Sequence, residues 1–271
     1  MDYELIALDM DDTALTTDKR LTARTIAAME SAIQKGKHVV FSTGRNISIV
    51  KPYMDMVRGM RWAVTSAGAA VNDVLTGERL TEINIDPETV KWIIAAAAGE
   101  DALPVLYIGD DSYCPDWAPE RAAEFHVAQF AEPYRKYMLH AEDVFGMFME
   151  NPVPLQKMNL LFTEPEGCKA VYEKIRYLPI SFTNLTDTFM EINASGVSKA
   201  GGLKTLCGRL GVDMSRAVAV GDSDNDLEMI KAAGLGVAMG NALERVKSAA
   251  GAVVADCDSD GAAEAIERFL L

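Results

Sequence analysis

Short continuous apolar runs alternate along this chain with stretches in which apolar residues recur at helical spacing. Runs such as Leu5-Ile6-Ala7-Leu8 and Ala217-Val218-Ala219-Val220 have the length of strands buried on both faces, too short for helices. Between the first strands, Thr22 is placed to cap a helix that runs to about Lys35 and stops at Gly36, with Ile26, Met29 and Ile33 on one face. Next come a strand over 38–41, a helix over 47–57, a strand over 62–66 and a hairpin over 70–83 turning at Thr76-Gly77. The alternation then restarts. We expect a helix over 87–98, an extended segment over 105–108, a turn at Gly109-Asp110-Asp111, a helix over 119–130, a strand over 157–162, a helix over 166–177, and strands over 180–184 and 189–192. From Lys199 the strand and helix rhythm of the first part returns.

Strands broken up by helices imply βαβ units. The fold class read from this is α/β, a Rossmann-like, mostly parallel sheet core with an inserted α+β cap domain. The core is expected over residues 1–83 and 189–271 and the insertion over 84–188, with Pro152 and Pro154 in a loop of the insertion.

The residues directly after the first apolar run change the picture. Asp9-Met10-Asp11-Asp12-Thr13 puts three carboxylates into four positions. Like charges near ~4 Å repel by about 1 kcal/mol in water and about 4 kcal/mol at a protein surface, so a positive partner is expected there. A hard divalent cation with oxygen ligands answers the need, and Mg²⁺ suits one or two carboxylates plus a substrate phosphate. A second acidic knot, Gly221-Asp222-Ser223-Asp224-Asn225-Asp226, comes after another apolar run. In parallel α/β sheets ligands bind beyond the carboxyl ends of the strands, so the two knots can meet in space. Ser42-Thr43-Gly44-Arg45 ends a strand between them, and Lys199 opens a helical stretch. A hydroxyl and an ammonium beside a metal make a phosphate site.

Taken together, these segments resemble the haloacid dehalogenase superfamily, and within it the Cof-like group of sugar and small-metabolite phosphatases. Asp9 to Thr13 matches the first motif of that family, Thr43 the second, Lys199 the third and Gly221 to Asp226 the fourth; Gly234 to Ala242 and the helix opening at Asp260-Gly261-Ala262 also resemble the group. Three positions depart from the pattern: Asp12 stands where Gly is usual, Ala67 where Asn is usual, and Ala200 where Gly is common. Asp tolerates left-handed backbone better than most residues, so Asp12 is compatible with the loop, whereas Ala67 removes an amide near the expected pocket.

The resemblance implies a Mg²⁺-dependent phosphatase acting on small phosphomonoesters through an aspartyl phosphate. Asp9 is then the nucleophile, and Asp11 the general acid and base. Met10, Thr43, Gly44, Lys199 and Asn225 bind the phosphate. Asp9, the Asp11 backbone carbonyl and Asp222 hold the metal, with Thr13 and Asp226 supporting them from behind. The insertion is expected to close over the leaving group, although nothing in the sequence says which of Asp110, Asp111, Tyr113, Arg121 or Lys157 meets it. A phosphomutase or phosphotransferase of the same superfamily is the alternative, because the aspartyl phosphate can pass to a sugar hydroxyl instead of water. A phospho-acceptor signalling domain also clusters Asp, Thr and Lys, but in about half this length and without the second acidic knot.

Composition narrows the partners. Of 271 residues, 26 are basic and 40 acidic, a net charge of -14, and such a surface repels nucleic acid and anionic membranes. Phosphate attraction therefore has to be local, through the metal, Lys199 and Arg45. Cys114, Cys168, Cys207 and Cys257 are scattered, with no CxxC pair, and the amino terminus is acidic; both features suit a reduced, cytoplasmic protein. Oligomeric state has no signal in the sequence. Three patterns are rejected. Asp256 to Gly261 with Glu267 beyond it fits the EF-hand loop, yet 252–255 reads as a strand and 262–270 as a helix. Gly234-Leu235-Gly236 with Gly240 misses the dinucleotide spacing. His38, His126 and His140 are too dispersed for zinc.

Overall fold

Leu5–Leu8 (β1) has no exposed residue because it lies inside a sheet covered on both faces: Ile6 and Leu8 enter one apolar cluster, and Leu5 and Ala7 the other. This is the physical origin of the unbroken apolar run. The computed structural model describes residues 2–271, which divide into two compact units, one of residues 2–82 with 198–271 and one of residues 83–197.

In the first unit β1 is joined by His38–Ser42 (β2), Trp62–Thr65 (β3), Ala70–Asp73 (β4) and Glu78–Glu82 (β5). The second unit contributes Ala102–Ile108 (β6), Asp111–Pro115 (β7), Leu139–Ala141 (β8), Lys157–Phe162 (β9), Ile180–Leu185 (β10) and Phe189–Ala194 (β11). The chain then returns to the first unit with Ala217–Gly221 (β12), Leu235–Ala238 (β13) and Ala252–Val253 (β14).

The first sheet runs β14-β13-β12-β1-β2-β3-β4-β5, parallel except where β4 and β5 turn back as a hairpin. Leu8 is level with Phe41 of β2 on one side and with Val220 of β12 on the other. The segments after these strands therefore leave the sheet at one edge, side by side. Thr22 caps the helix Ala23–Gln34 by accepting from the Thr25 N–H, and Gly36 takes φ +78° beyond its end. The next helix, Ile47–Met54, is shorter than expected: the chain turns after Met54, and the buried Val57 and Met60 reach the core from that turn.

The second unit has the sheet order β10-β11-β9-β6-β7-β8, antiparallel except between β7 and β8. Two expectations change here. The segment 189–194, assigned to the core by a boundary near 188, is β11; it pairs with β9 and β10, and the chain re-enters the first unit at Ser198. The single helix over 119–130 is instead a four-residue helix, Ala118–Arg121, continued by turns through His126 at φ +61°. Helices Ala131–Tyr137 and Val144–Glu150 and the short β8 were not anticipated. Only Val144 and Phe148 of the seven residues in Val144–Glu150 are buried, too few for a periodic signal. Pro104 is accommodated in β6 because only β9 flanks the strand at that level, β7 joining from Leu106.

The EF-hand pattern folds as the sequence suggested: the helix Gly261–Phe269 begins inside it, and Asp258 binds the Thr17 amide and hydroxyl. All four cysteines are buried free thiols. Among the described residues, no helix is long and apolar enough to cross a membrane.

Candidate active site

Asp9 continues the line of β1, its N–H donating to the Val220 carbonyl at 3.0 Å. Its carboxylate is buried and accepts from Lys199 Nζ at 2.7 Å. The same ammonium donates to Asp226 Oδ1 at 2.8 Å and to Asn225 Oδ1 at 3.1 Å. One lysine thus ties the loop after β1 to the loop after β12.

Glycines make this geometry possible. A Cβ on Gly68 would stand 2.0 Å from the Ser198 carbonyl oxygen, and one on Gly202 would stand 2.5 Å from Val64 Cγ1. The helix Lys199–Leu210 can therefore press its first turn against the loop after β3, which fixes where Lys199 starts. Gly221 answers a third demand: a Cβ there would come within 2.3 Å of Asp226 Cγ. Asp226, fully buried, accepts on Oδ2 from the Asp222 and Ser223 amides at 3.0 and 3.1 Å. Thr13 Oγ1 donates to Asp222 Oδ1 at 2.9 Å, bridging the two acidic knots.

The first loop bends as its composition suggested. Asp12 adopts φ 55°, ψ 18°, and is braced by Lys19 on its carboxylate and by Asn241 Nδ2 on its carbonyl at 2.8 Å. Ala200, half-buried, packs its methyl against the second apolar cluster. Ser66, Ala67 and Gly68 all carry positive φ. Ser and Ala are strained in that region, a kind of strain that clusters at functional loops.

Charge is unbalanced at this site. Asp9, Asp222 and Asp226 each offer an oxygen within 4.8 Å of the others, against the one charge of Lys199. Burial raises the Asp9 pKa well above the carboxylate range, with Asp226 and Asp222 adding to the rise. Burial and the Asp226 charge push Asp222 up to about 7. Asp226 and Asp9 raise the Lys199 pKa despite its burial, so it stays an ammonium. The donor set is hard oxygen and short of positive charge, and it fits a hard divalent cation. Asp226 has Lys199 on one oxygen and two amides on the other, which leaves Asp9 and Asp222 as the carboxylates available to a metal.

The other expected residues lie around this group. Asp11 does not join it through its side chain. Its two oxygens receive the Arg45 guanidinium fork at 2.8 and 2.7 Å, and Lys19 Nζ is 3.1 Å away. Burial acts to raise the Asp11 pKa, but these two cations outweigh it and hold the carboxylate at about 2. Met10 gives its side chain to the apolar core, so only its backbone remains for a ligand. Thr43, buried at the end of β2, is one strand over from Asp9; its N–H donates to Val64 O at 2.9 Å and its hydroxyl accepts from the Arg45 N–H at 3.2 Å. Gly44, half-buried, lies between them. The Arg45 fork, the Lys19 brace and the Asn241 brace escaped the sequence reading. Proximity to Thr43 was the available signal for Arg45 and the segment Gly234 to Ala242 the signal for Asn241, whereas no spacing in the chain points to Lys19.

Comparison with known proteins shows the family. A family model described as haloacid dehalogenase-like hydrolase matches residues 6–266. A putative phosphatase of Bacillus subtilis, YxeH, is 27% identical over 277 residues, covering 99% of each chain. The 5-amino-6-(5-phospho-D-ribitylamino)uracil phosphatase YcsE of the same organism is 28% identical, covering 100% of this chain and 97% of its own length. Among solved structures, a haloacid dehalogenase-like hydrolase from Bacteroides thetaiotaomicron superposes with a TM-score of 0.85 at 27% identity, covering 98% of this chain and 99% of that one. With the motifs in order, the fold matched over nearly its whole length and the family model spanning both acidic knots, the chain belongs to the haloacid dehalogenase-like hydrolases, in their Cof-like phosphatase group.

Proposed function

We propose that this hydrolase releases phosphate from small phosphomonoesters in a Mg²⁺-dependent reaction that passes through an aspartyl phosphate on Asp9. The observation that carries the reading is the Lys199 ammonium, bonded at once to Asp9 and Asp226 from opposite ends of the chain, with Asp222 beside them. That arrangement leaves one Asp9 oxygen for attack while Lys199 supplies positive charge where phosphoryl oxygens gather. Asp9 and Asp222, with the Asp11 backbone carbonyl, would hold Mg²⁺, whose contribution is to neutralise two anions that must meet.

In the first step an Asp9 oxygen forms a bond to phosphorus as the bond to the leaving oxygen breaks, and Asp11 gives that oxygen a proton. In the second, water attacks phosphorus, Asp11 takes its proton, and the Asp9 carboxylate is regenerated. Held by Arg45 and Lys19, Asp11 is an anion in the described arrangement, so the acid step requires it to leave the Arg45 fork and take up a proton from solvent before it meets the leaving oxygen. Thr43, Gly44, the Met10 amide and Asn225 are assigned to the phosphoryl oxygens. We read the second unit as the cap that selects the leaving group. Relatives named for dephosphorylating a ribitylaminouracil phosphate and HMP-PP support small phosphorylated metabolites as substrates.

The test is phosphate release from a broad panel of phosphomonoesters. Activity is expected with Mg²⁺, lost with a chelator, and lost in Asp9→Asn. No release from any ester, or an unaffected Asp9→Asn, refutes the proposal.

A further inference from the structure

Asp12 is the one carboxylate of the first acidic knot that the reaction above leaves without a task. Its backbone, at φ 55° and ψ 18°, is of the kind in which Gly costs least. Asn241 holds that bend through the Asp12 carbonyl, so the shape of the loop does not call for a carboxylate. The side chain adds negative charge beside Asp9, which already shares one ammonium with Asp226. Its purpose has to be sought in what it touches.

Lys19 Nζ donates to Asp12 Oδ1 at 2.9 Å and lies 3.1 Å from Asp11 Oδ1. One ammonium, on a side chain only 16% exposed, is thus divided between two adjacent carboxylates. Lys19 is itself in the left-handed region, at φ 58°, and closes a turn in which its N–H donates to the Thr16 carbonyl at 2.8 Å. Gly or Asn would suit that corner with less strain, so what the lysine adds is its charge. Tyr53 fastens this turn to the other cation on Asp11: its hydroxyl donates to the Lys19 carbonyl at 3.1 Å, and its ring centre is 5.4 Å from the Arg45 guanidinium. Every residue of this group belongs to the first unit.

The reaction proposed above requires Asp11 to leave the Arg45 fork, and therefore to part with Lys19 as well. We propose that Lys19 is a positioning residue that helps to hold the Asp11 carboxylate on the fork at rest, and that Asp12 takes over its ammonium when Asp11 turns to the substrate. The inference rests on the role of Asp11 as the acid. Two effects act in the same direction. With Asp12 at 2.9 Å, Lys19 is not left largely buried without a counter-charge once Asp11 has gone. The Asp12 carboxylate also repels its neighbour as long as Asp11 stays on the fork. Asp12 therefore makes the departure of Asp11 easier, and Lys19 makes it harder.

The full chain with Mg²⁺ is assayed on an alkyl phosphate, whose alkoxide needs a proton as it leaves, and on p-nitrophenyl phosphate, whose phenolate leaves with little help from an acid. The readout is the ratio of the alkyl to the aryl kcat/KM, values that report the step forming the aspartyl phosphate. A misfolded fraction, or a loop that has merely lost its shape, lowers both alike and leaves the ratio where it was. Asp12→Asn removes the charge and keeps a side chain at ease in left-handed backbone. It is expected to lower the ratio by about threefold to fivefold, the scale of a partly exposed ion pair. Lys19→Met, which keeps the length of the side chain and loosens the hold on Asp11, is expected to raise the ratio. Any other pattern in an enzyme that hydrolyses both esters, including a ratio that neither variant moves or that both lower, overturns this inference alone. No phosphate from either ester overturns the proposed function and this inference with it.

Discussion

Asp222 carries a prediction that separates a metal site from a merely crowded one. Its pKa in the folded, metal-free protein is raised to about 7, by burial first and the Asp226 charge second. A raised carboxyl pKa means that the folded state binds the proton more tightly than the unfolded state, so the site costs stability as pH rises from the ordinary carboxylate range through about 7. Metal-free protein is therefore expected to lose thermal stability between pH 5 and pH 8, the same interval over which Asp222 becomes free of its proton. Mg²⁺ should raise the melting temperature more at pH 8 than at pH 5; an equal shift at both, or none, contradicts the assignment. At this scale the sequence was legible where like charges crowd after a strand, because the crowding itself demands an explanation. The Arg45 hold on Asp11 was not, since an ion pair across 34 positions leaves no periodic or compositional trace.

Among the elements, β12 shapes the site through the glycine that ends it. Gly221→Ala would drive a Cβ into the Asp226 carboxyl. Asp226 must then move, and with it one of the bonds that position Lys199 and the amides of Asp222 and Ser223. We expect a loss of about 1 to 3 kcal/mol in denaturant unfolding, typical of overpacking, and a fall in kcat larger than any change in KM. Wild-type kcat would show that the loop tolerates the shift and that this packing is incidental. Apart from the short, exposed β8, the strands and their order of appearance were readable, those of the core because strands buried on both faces must be apolar throughout. Short helices such as Val144–Glu150 were not, since each buries one or two residues and draws its stability from tertiary packing. The placement of 189–194 was hidden for a related reason: an apolar strand reads alike whichever sheet it joins, and only its pairing with β9 and β10 decides.

For the molecule as a whole, parallel registration is what turns two distant acidic segments into one site. With Leu8 level with both Phe41 and Val220, three strands end together, and the residues just beyond them share one edge. Net charge of -14 leaves any attraction for a phosphoester to that edge. The parallel core could be anticipated from the alternation of strands and helices, and so could the convergence of the knots. The burial of Lys157, Asn159 and Glu191 in the second sheet could not, because in the sequence they look like ordinary strand polar positions. The central claim is that Asp9 attacks phosphorus. It is tested most directly by quenching the enzyme in acid during turnover of a phosphomonoester with Mg²⁺, digesting it, and locating the phosphoryl group by mass spectrometry. The account predicts one phosphoryl group on the peptide that contains Asp9; a phosphoryl group on any other residue would contradict it.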